Sequence, residues 1–268
     1  MLNVIYKLYA YVFARKIFYK MNRFIYSLSL RGMGVLNYQN DLLTGEKAWL
    51  AKYLVGRPNP IVFDIGANIG EYSKMVFIVN SESKVVAFEP HPKTYVKLLD
   101  NIKNRNFTSY NSGLSNQVST MRLFDYTGNN GSPHASLYEN VIKELHNGGE
   151  PVAHIVDVIR LDSFLIKEKI EYIDLLKIDT EGNEFKVLQG AGSFLKEKKI
   201  KAIHFEFNEM NVESQVNFKK FWDLLPDYKL YRLLPRGELV EISSYRPVFC
   251  EIYAFQNIIA ILKETGPE

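Results

Sequence analysis

The chain has 268 residues, 47% apolar and 24% charged, which suits one large domain with an appendage and excludes a disordered, collagen-like or coiled-coil whole. One cysteine, Cys250, excludes an intrachain disulfide and fits a reducing compartment, while no uncharged apolar run reaches the roughly 18 residues a membrane span needs. The net charge of +3 is unevenly placed: residues 1–40 hold Lys7, Arg15, Lys16, Lys20, Arg23 and Arg31 and no acid, so residues 41–268 carry −3, which argues against a nucleic-acid partner.

Residues 1–45 read as an N-terminal helical extension and 46–268 as the main domain. The first forty residues contain nine aromatics and neither Gly nor Pro before Gly32, which predicts helix. The longest charge-free stretch before the basic cluster, Leu8–Ala14, is seven residues, and no small-residue cleavage site follows closely. A secretory signal peptide is therefore not expected. Two readings stay open. Aromatic and basic residues together suit a helix lying on an anionic membrane surface. The same residues suit a helix packed on the main domain or in a homodimer, its cations snorkelling outward.

Residues 41–56 predict a helix carrying Glu46, Trp49, Leu50 and Tyr53, broken by Gly56 and Pro58. Ile61–Asp64 is a short apolar strand, followed by a helix from Glu71. Lys84–Phe88 is a second strand ending in Glu89-Pro90, followed by a helix over 92–103 and a third strand over 108–111. Residues 125–150, rich in Gly, Asn, Ser and His, read as a long loop or lid. The strand rhythm returns with Tyr172–Ile178, ending in Asp179. A helix over 183–189 is stopped by Gly190 and Gly192, and a strand over 200–207 follows. The tail from Tyr228 to Asn257 reads as strands with turns at Pro235–Gly237 and Arg246-Pro247, an antiparallel hairpin at the sheet edge. Apolar strands alternating with helices predict an α/β fold with a mostly parallel sheet covered on both faces.

The segment Asp64-Ile65-Gly66-Ala67-Asn68-Ile69-Gly70 closes the first strand, and Glu89 closes the second about 25 residues later. In a doubly wound sheet both positions fall at the carboxyl edge, where ligands bind. Gly66 and Gly70 let backbone approach a ligand, and an acid at Glu89 can accept hydrogen bonds from two ribose hydroxyls. No Gly-Lys-Ser/Thr follows, which excludes a P-loop, and the second glycine of a nicotinamide-binding loop is missing. A ribose-bearing cofactor without phosphate, S-adenosylmethionine, suits this loop.

The chain resembles the FkbM-type methyltransferases. The matching segments are VFDIGANIGEYS (Val62–Ser73), AFEPHP (Ala87–Pro92), LDSFL (Leu161–Leu165), LLKIDTEGNEFKVLQG (Leu175–Gly190), Phe205-Glu206 and EIYAFQN (Glu251–Asn257). The resemblance implies a Rossmann-like class I methyltransferase fold. It implies S-adenosylmethionine as cofactor and methyl transfer to a hydroxyl, that of a sugar in cell-surface polysaccharide or glycan biosynthesis. The single cysteine and the basic, aromatic extension set the expected place of work in the cytoplasm, peripheral to the inner membrane face if the extension binds membrane. The resemblance makes Asp64, Gly66, Asn68, Gly70 and Glu71 the cofactor loop, with Glu89 on the ribose and Ser112 at the adenine, where a plain turn residue is the alternative.

Asp179 is a candidate proton acceptor or a holder of the methionyl amine, with helix capping as the plain alternative. Glu181 and Glu206 are candidate catalytic acids beside it; the three could also surround a divalent cation, although their spacing demands no metal. Glu206 ends a strand on which Ile203, Phe205 and Phe207 alternate with His204, Glu206 and Asn208, so it is either a substrate-side group or a buried hydrogen-bonded acid. His134, in a stretch resembling longer family members, is a candidate substrate-side proton carrier against a surface histidine. The alternatives at the level of function are a nucleotide-sugar oxidoreductase and a non-catalytic membrane-surface protein with a methyltransferase fold.

Overall fold

The computed structural model describes residues 2–126, 135–141 and 151–264. Strands β1 (Ile61–Ile65), β2 (Lys84–Phe88) and β3 (Phe107–Tyr110) come first, then β4 (Gly113–Leu114), β5 (Ser119–Tyr126) and β6 (Pro151–Ile159). They are followed by β7 (Ile173–Ile178), β8 (Ile200–Phe207), β9 (Tyr228–Leu234), β10 (Glu238–Glu241) and β11 (Gln256–Leu262). The main sheet has the order β10-β9-β11-β8-β7-β1-β2-β3, and β4-β6-β5 form a second, smaller sheet. From β3 to β8 all neighbours are parallel, and β11, β9 and β10 pair antiparallel. The expected mostly parallel sheet with an antiparallel edge hairpin is thus present. The chain order reverses between β1 and β7, which makes their carboxyl ends the switch point of the sheet.

Residue alternation sends the two sheet faces into separate cores. Phe63, Ile65, Leu176, Ile178, Ile203 and Phe205 face one side, where they meet α7 (Leu161–Lys167), α8 (Glu184–Gly190), α9 (Gly192–Lys196) and α11 (Phe218–Leu224). Val62, Val85, Leu175, Ala202 and Ile259 face the other, against α4 (Glu46–Leu54) and α5 (Glu71–Val79). The remaining helix after β2 is α6 (Pro92–Asn101), and α10 (Met210–Glu213) follows β8.

Several sequence expectations shift. The single helix over 41–56 is two pieces, α3 (Asp41–Thr44) and α4, parted by Gly45 at φ 76°, where a Cβ would stand 2.1 Å from the Leu234 carbonyl oxygen. The helix expected over 183–189 ends at Gly190 as α8, but Gly192 does not stop the chain's helical course: it opens a second helix, α9, after Ala191. In the tail a short helix, α12 (Pro247–Cys250), intervenes, and β11 inserts between β8 and β9. The segment read as a loop over 125–150 begins in strand, since β5 runs to Tyr126, and Ser136 bridges to Phe124; 127–134 and 142–150 lie outside the described residues, and β6 opens just beyond the segment at Pro151.

The N-terminal segment is helical as expected, in two pieces: α1 (Leu2–Phe13) and α2 (Tyr19–Gly32), joined through a 3-10 turn at Lys16–Phe18. Tyr9 donates to Asn22 Oδ1 (2.7 Å) across the joint, and Asn22 Nδ2 donates to the Phe13 carbonyl (3.0 Å). Beyond α2 the chain docks: Val35 forms a bridge with Gln256, and the Leu36 N–H donates to the Phe255 carbonyl at 2.7 Å. Among the described residues no helix is long and apolar enough to cross a membrane.

Candidate active site

The cleft opens where β1 and β7 end. Gly66 follows β1 at φ 78°, and an added Cβ there would lie 1.7 Å from the Asp179 carbonyl oxygen. Only glycine lets these two strand ends come this close. The Gly66 and Ala67 N–H groups both donate to the Phe88 carbonyl (2.9 and 3.0 Å), which ties the loop to the end of β2.

Glu89 stands at that end, 6% exposed. Its Oε2 accepts from the Asn68 N–H (2.9 Å) and its Oε1 from the His91 N–H (2.7 Å). Burial raises its pKa from 4.5 to about 7, the two backbone donors opposing the rise. It lines a pocket with Phe88, Leu114, Leu123, Leu137 and Val158 as apolar walls, and Gly66, Asn68, Asp179, Glu181 and Asn183 among its polar lining. Asn183 Nδ2 donates to the Leu114 carbonyl at 2.9 Å, while its buried Oδ1 has no hydrogen-bond partner among the described residues. An apolar slot with a buried, unspent acceptor and a carboxylate at its rim fits an adenosine: a flat base, an amine and ribose hydroxyls.

A second pocket shares Gly66, Asn68, Asp179 and Glu181 with the first and adds Glu206, Asn208, Glu209, Met210, Phe255, Leu36 and Tyr38. Asp179 therefore stands at the boundary between two compartments. Glu206 accepts from Asn208 Nδ2 (3.2 Å). Burial, then the nearby Asp179, push its pKa well above the carboxylate range, against the pull of Lys177.

Beneath this boundary lies a buried polar row. Asp64, Lys177 and His204 are register partners on β1, β7 and β8. Asp64, 1% exposed, accepts from Ser73 Oγ at 2.6 Å, and burial lifts its pKa to about 6. The Lys177 ammonium, 3.7 Å from Asp179 Oδ2 and 3.6 Å from Glu46 Oε1, is 2% exposed. Burial alone would lower its pKa; the carboxylates of Asp179, Glu46, Glu206 and Asp64 more than reverse this, so it stays charged. Burial and Lys177 hold His204 well below its ordinary pKa. The neutral ring that satisfies both neighbours accepts from the Tyr72 hydroxyl at Nδ1 (3.1 Å) and donates from Nε2 to Asn257 Oδ1 (2.9 Å).

Of the residues singled out in the sequence, Gly66, Asn68, Glu89, Asp179, Glu181 and Glu206 come together around the two pockets. Asp64 lies behind them. Gly70 packs on α6, its missing Cβ facing Ile102 and Leu98. Glu71 points outward and pairs with Lys74 at 2.7 Å. Ser112 precedes the lining residues Gly113 and Leu114 and is not itself among them. His134 lies outside the described residues. Among those residues no three His, Cys, Asp or Glu side chains gather in a metal-holding group. The sequence reading missed Asn183, Lys177, Leu36 and Tyr38. A lysine inside the otherwise apolar run Ile173–Ile178 was the available signal for Lys177.

A parallel sheet with its cleft at the switch point, an acid closing the second strand and an apolar slot beside that acid define a Rossmann-like α/β methyltransferase. The match to known families is specific: residues 64–265 fit the methyltransferase FkbM domain, and the chain belongs to that family. It is a methyltransferase that uses S-adenosylmethionine. Relatives include the 2-O-methyltransferase NoeI of Sinorhizobium fredii, 26% identical over 69% of this chain and 78% of that protein. Another is the 31-O-demethyl-FK506 methyltransferase FkbM of Streptomyces tacrolimicus, 27% identical over 54% of this chain. The chain spans 64% of that second relative's length. Similar solved structures include a precorrin-6y C5,15-methyltransferase from Geobacter metallireducens (12% identity, TM-score 0.42, 81% of this chain and 87% of that one). An O-methyltransferase from Thermotoga maritima is also similar (11% identity, TM-score 0.41, 83% and 66%).

Proposed function

We propose that the protein methylates a hydroxyl of a sugar or glycan acceptor. The observation that carries this reading is the pair of pockets meeting at Asp179: one apolar with Glu89 at its rim, the other rimmed by Glu206, Asn208, Glu209 and the rings of Tyr38 and Phe255. Carboxyl and amide groups beside aromatic rings suit a polyhydroxylated ring with one polar edge and one apolar face. A 2-O-methyltransferase among the relatives supports the same reading. Membership of a methyltransferase family sets aside the oxidoreductase alternative.

When bound, S-adenosylmethionine supplies a methyl group on a sulfonium, ready for in-line attack by an oxygen. Around it the chain's own groups divide the work. Glu89 accepts from the ribose hydroxyls, Asn183 Oδ1 accepts from the base, and Phe88, Leu114 and Val158 exclude water from the slot. On the acceptor side, the carboxyl of Glu206 anchors a hydroxyl. Asp179, at the boundary, takes the proton of the attacking hydroxyl, with the fixed charge of Lys177 behind it. The free, buried Cys250 suits a cytoplasmic setting.

The test is Asp179→Asn, which keeps size and removes the basic oxygen. With tritiated S-adenosylmethionine and a glycan extract of the source cells, turnover should fall by about 10²–10⁴-fold while cofactor affinity holds. Weakened affinity with normal turnover would assign Asp179 to the methionyl amine instead. A wild-type protein that binds cofactor and labels no glycan defeats the acceptor reading.

A further inference from the structure

The segment that carries the excess positive charge is also the least covered part of the fold. In α1, Leu2, Val4, Ile5, Tyr6, Leu8 and Tyr11 are each more than half exposed, and no residue of the helix is buried. A helix apolar on nearly every side does not stay in water without a partner. In α2, Met21, Phe24, Ile25 and Leu28 stand at i, i+3, i+4 and i+7, which makes one stripe. All four are exposed, while the buried residue of α2, Leu30, lies on the opposite side of the helix. Lys20 lies along one edge of that stripe, and the whole of residues 1–40 has six bases and no acid.

This arm is keyed to the active site. Gly34, at φ 82°, passes so close to β9 that a Cβ would stand 2.7 Å from the Leu233 carbonyl oxygen. Val35 is fully buried, and Arg31 Nη1 donates to the Leu36 carbonyl at 2.7 Å. Leu36 and Tyr38, the next residues along, line the acceptor pocket, with Tyr38 packed edge-on against Phe255 at 5.8 Å. Whatever holds α2 is therefore connected through six residues to a wall of the acceptor site.

We infer that residues 2–29 lay the enzyme on an anionic membrane surface, and that the acceptor it methylates is a hydroxyl compound held on that membrane. The second half rests on the methyl-transfer reading above. Charge decides the occupant. A two-fold pairing of this arm with its copy would set cations on cations with no acid between them, whereas an anionic leaflet offers the opposite charge along the whole segment. At 12 residues, α1 reaches about 18 Å, against about 30 Å of hydrocarbon, so it lies in the interface with its apolar residues among the acyl chains.

The experiment uses the full chain with phosphatidylcholine vesicles, with and without phosphatidylglycerol. The protein should sediment with the anionic vesicles, stay in solution with the neutral ones, and be released as salt rises. F24S/L28S should cut the partition coefficient by about tenfold or more, and K20Q/R23Q should weaken it at low salt only. Both variants should keep wild-type S-adenosylmethionine affinity by calorimetry, since neither touches the cleft. Indifference to anionic vesicles, equal binding to neutral ones, or a dimer in sedimentation velocity that F24S/L28S dissolves overturns the membrane surface. For the acceptor, tritiated methyl should enter the membrane fraction of source cells. Label confined to soluble material overturns the membrane-held acceptor and leaves methyl transfer standing. No label in either fraction, with cofactor binding intact, counts against methyl transfer itself and removes the acceptor inference with it.

Discussion

With Glu89 on the ribose, as proposed above, cofactor binding is coupled to pH. In the free protein burial brings its pKa to about 7. Two ribose hydroxyls donating to it favour the ionised form and so pull the pKa down on binding. The sign follows: binding near pH 6–7 releases a proton, and affinity rises with pH until it levels above about 7. Calorimetry in two buffers of different ionisation enthalpy checks this, and a buffer-independent enthalpy at pH 6.5 contradicts it. Glu89→Ala removes two charge-assisted acceptors and should weaken S-adenosylmethionine by at least about tenfold. Gly66→Ala adds a methyl 1.7 Å from the Asp179 carbonyl oxygen at a φ of 78°. It should cost on the order of 3 kcal/mol or more, read as a lower urea midpoint together with lost cofactor binding. Gly66 and Glu89 were legible in the sequence because a glycine after one strand and an acid after the next have fixed places at the carboxyl edge. Asn183 was not, since an asparagine before a helix reads as a cap. Its unspent Oδ1 appears only once Leu114, from a different segment, takes its Nδ2.

At the level of elements, legibility followed burial. Strands buried over most of their length, such as β7 and β8, declare themselves as largely apolar runs, broken only by Asp174 and Lys177 in the first and by Lys201, His204 and Glu206 in the second, and their observed ends fall within a residue of those expected. In the smaller sheet, β6 mixes exposed Val152 and Ile155 with buried Val156 and Val158, and its partner β5 is separated from it by 24 residues. No local signal pairs them. The position of β11 between β8 and β9 is likewise a long-range choice. The motif EIYAFQN was read from family resemblance, and the structure supplies physical reasons for it. Gln256 Oε1 accepts from Arg232 Nε (2.9 Å), and Asn257 holds His204. Glu251 receives the Phe218 and Lys219 N–H groups at 2.8 and 3.0 Å, so a distant carboxylate caps the start of α11. The Tyr245 hydroxyl donates to Glu251 Oε1 at 2.6 Å. Glu251→Ala should lower stability by about 1–2 kcal/mol. The expected signature is a shifted urea midpoint at constant slope with cofactor affinity unchanged; an unshifted midpoint removes Glu251 as the cap.

Across the whole molecule, the question is where the catalytic body begins. The sequence places the boundary near residue 45, where the basic and aromatic bias fades. The contacts divide differently. From Leu2 to Ser29 no residue is buried, and Tyr9, Phe13, Phe18 and Asn22 interact with one another. From Leu30 the chain is seated: Leu30 and Val35 are buried, Asn37 is 6% exposed, and Leu36 bonds to the strand-side carbonyl of Phe255. Two deletions separate these descriptions. Removing residues 1–29 takes away five bases, so the net charge passes from +3 to −2. It leaves the seat intact, and the unfolding free energy should stay within about 0.5 kcal/mol of wild type. Removing residues 1–40 empties the place of Val35 and strips two walls from the acceptor pocket. It should cost about 3 kcal/mol or more, as deletion of well-buried apolar groups does, and expose Phe255 and β11 to association. Urea titration of both proteins, with sedimentation to read association, decides the matter. Equal loss in the two deletions would mean that α1 and α2 belong to the folding unit. Equal tolerance would return the boundary to residue 45 and leave Leu36 and Tyr38 without a structural reason to stand at the acceptor pocket.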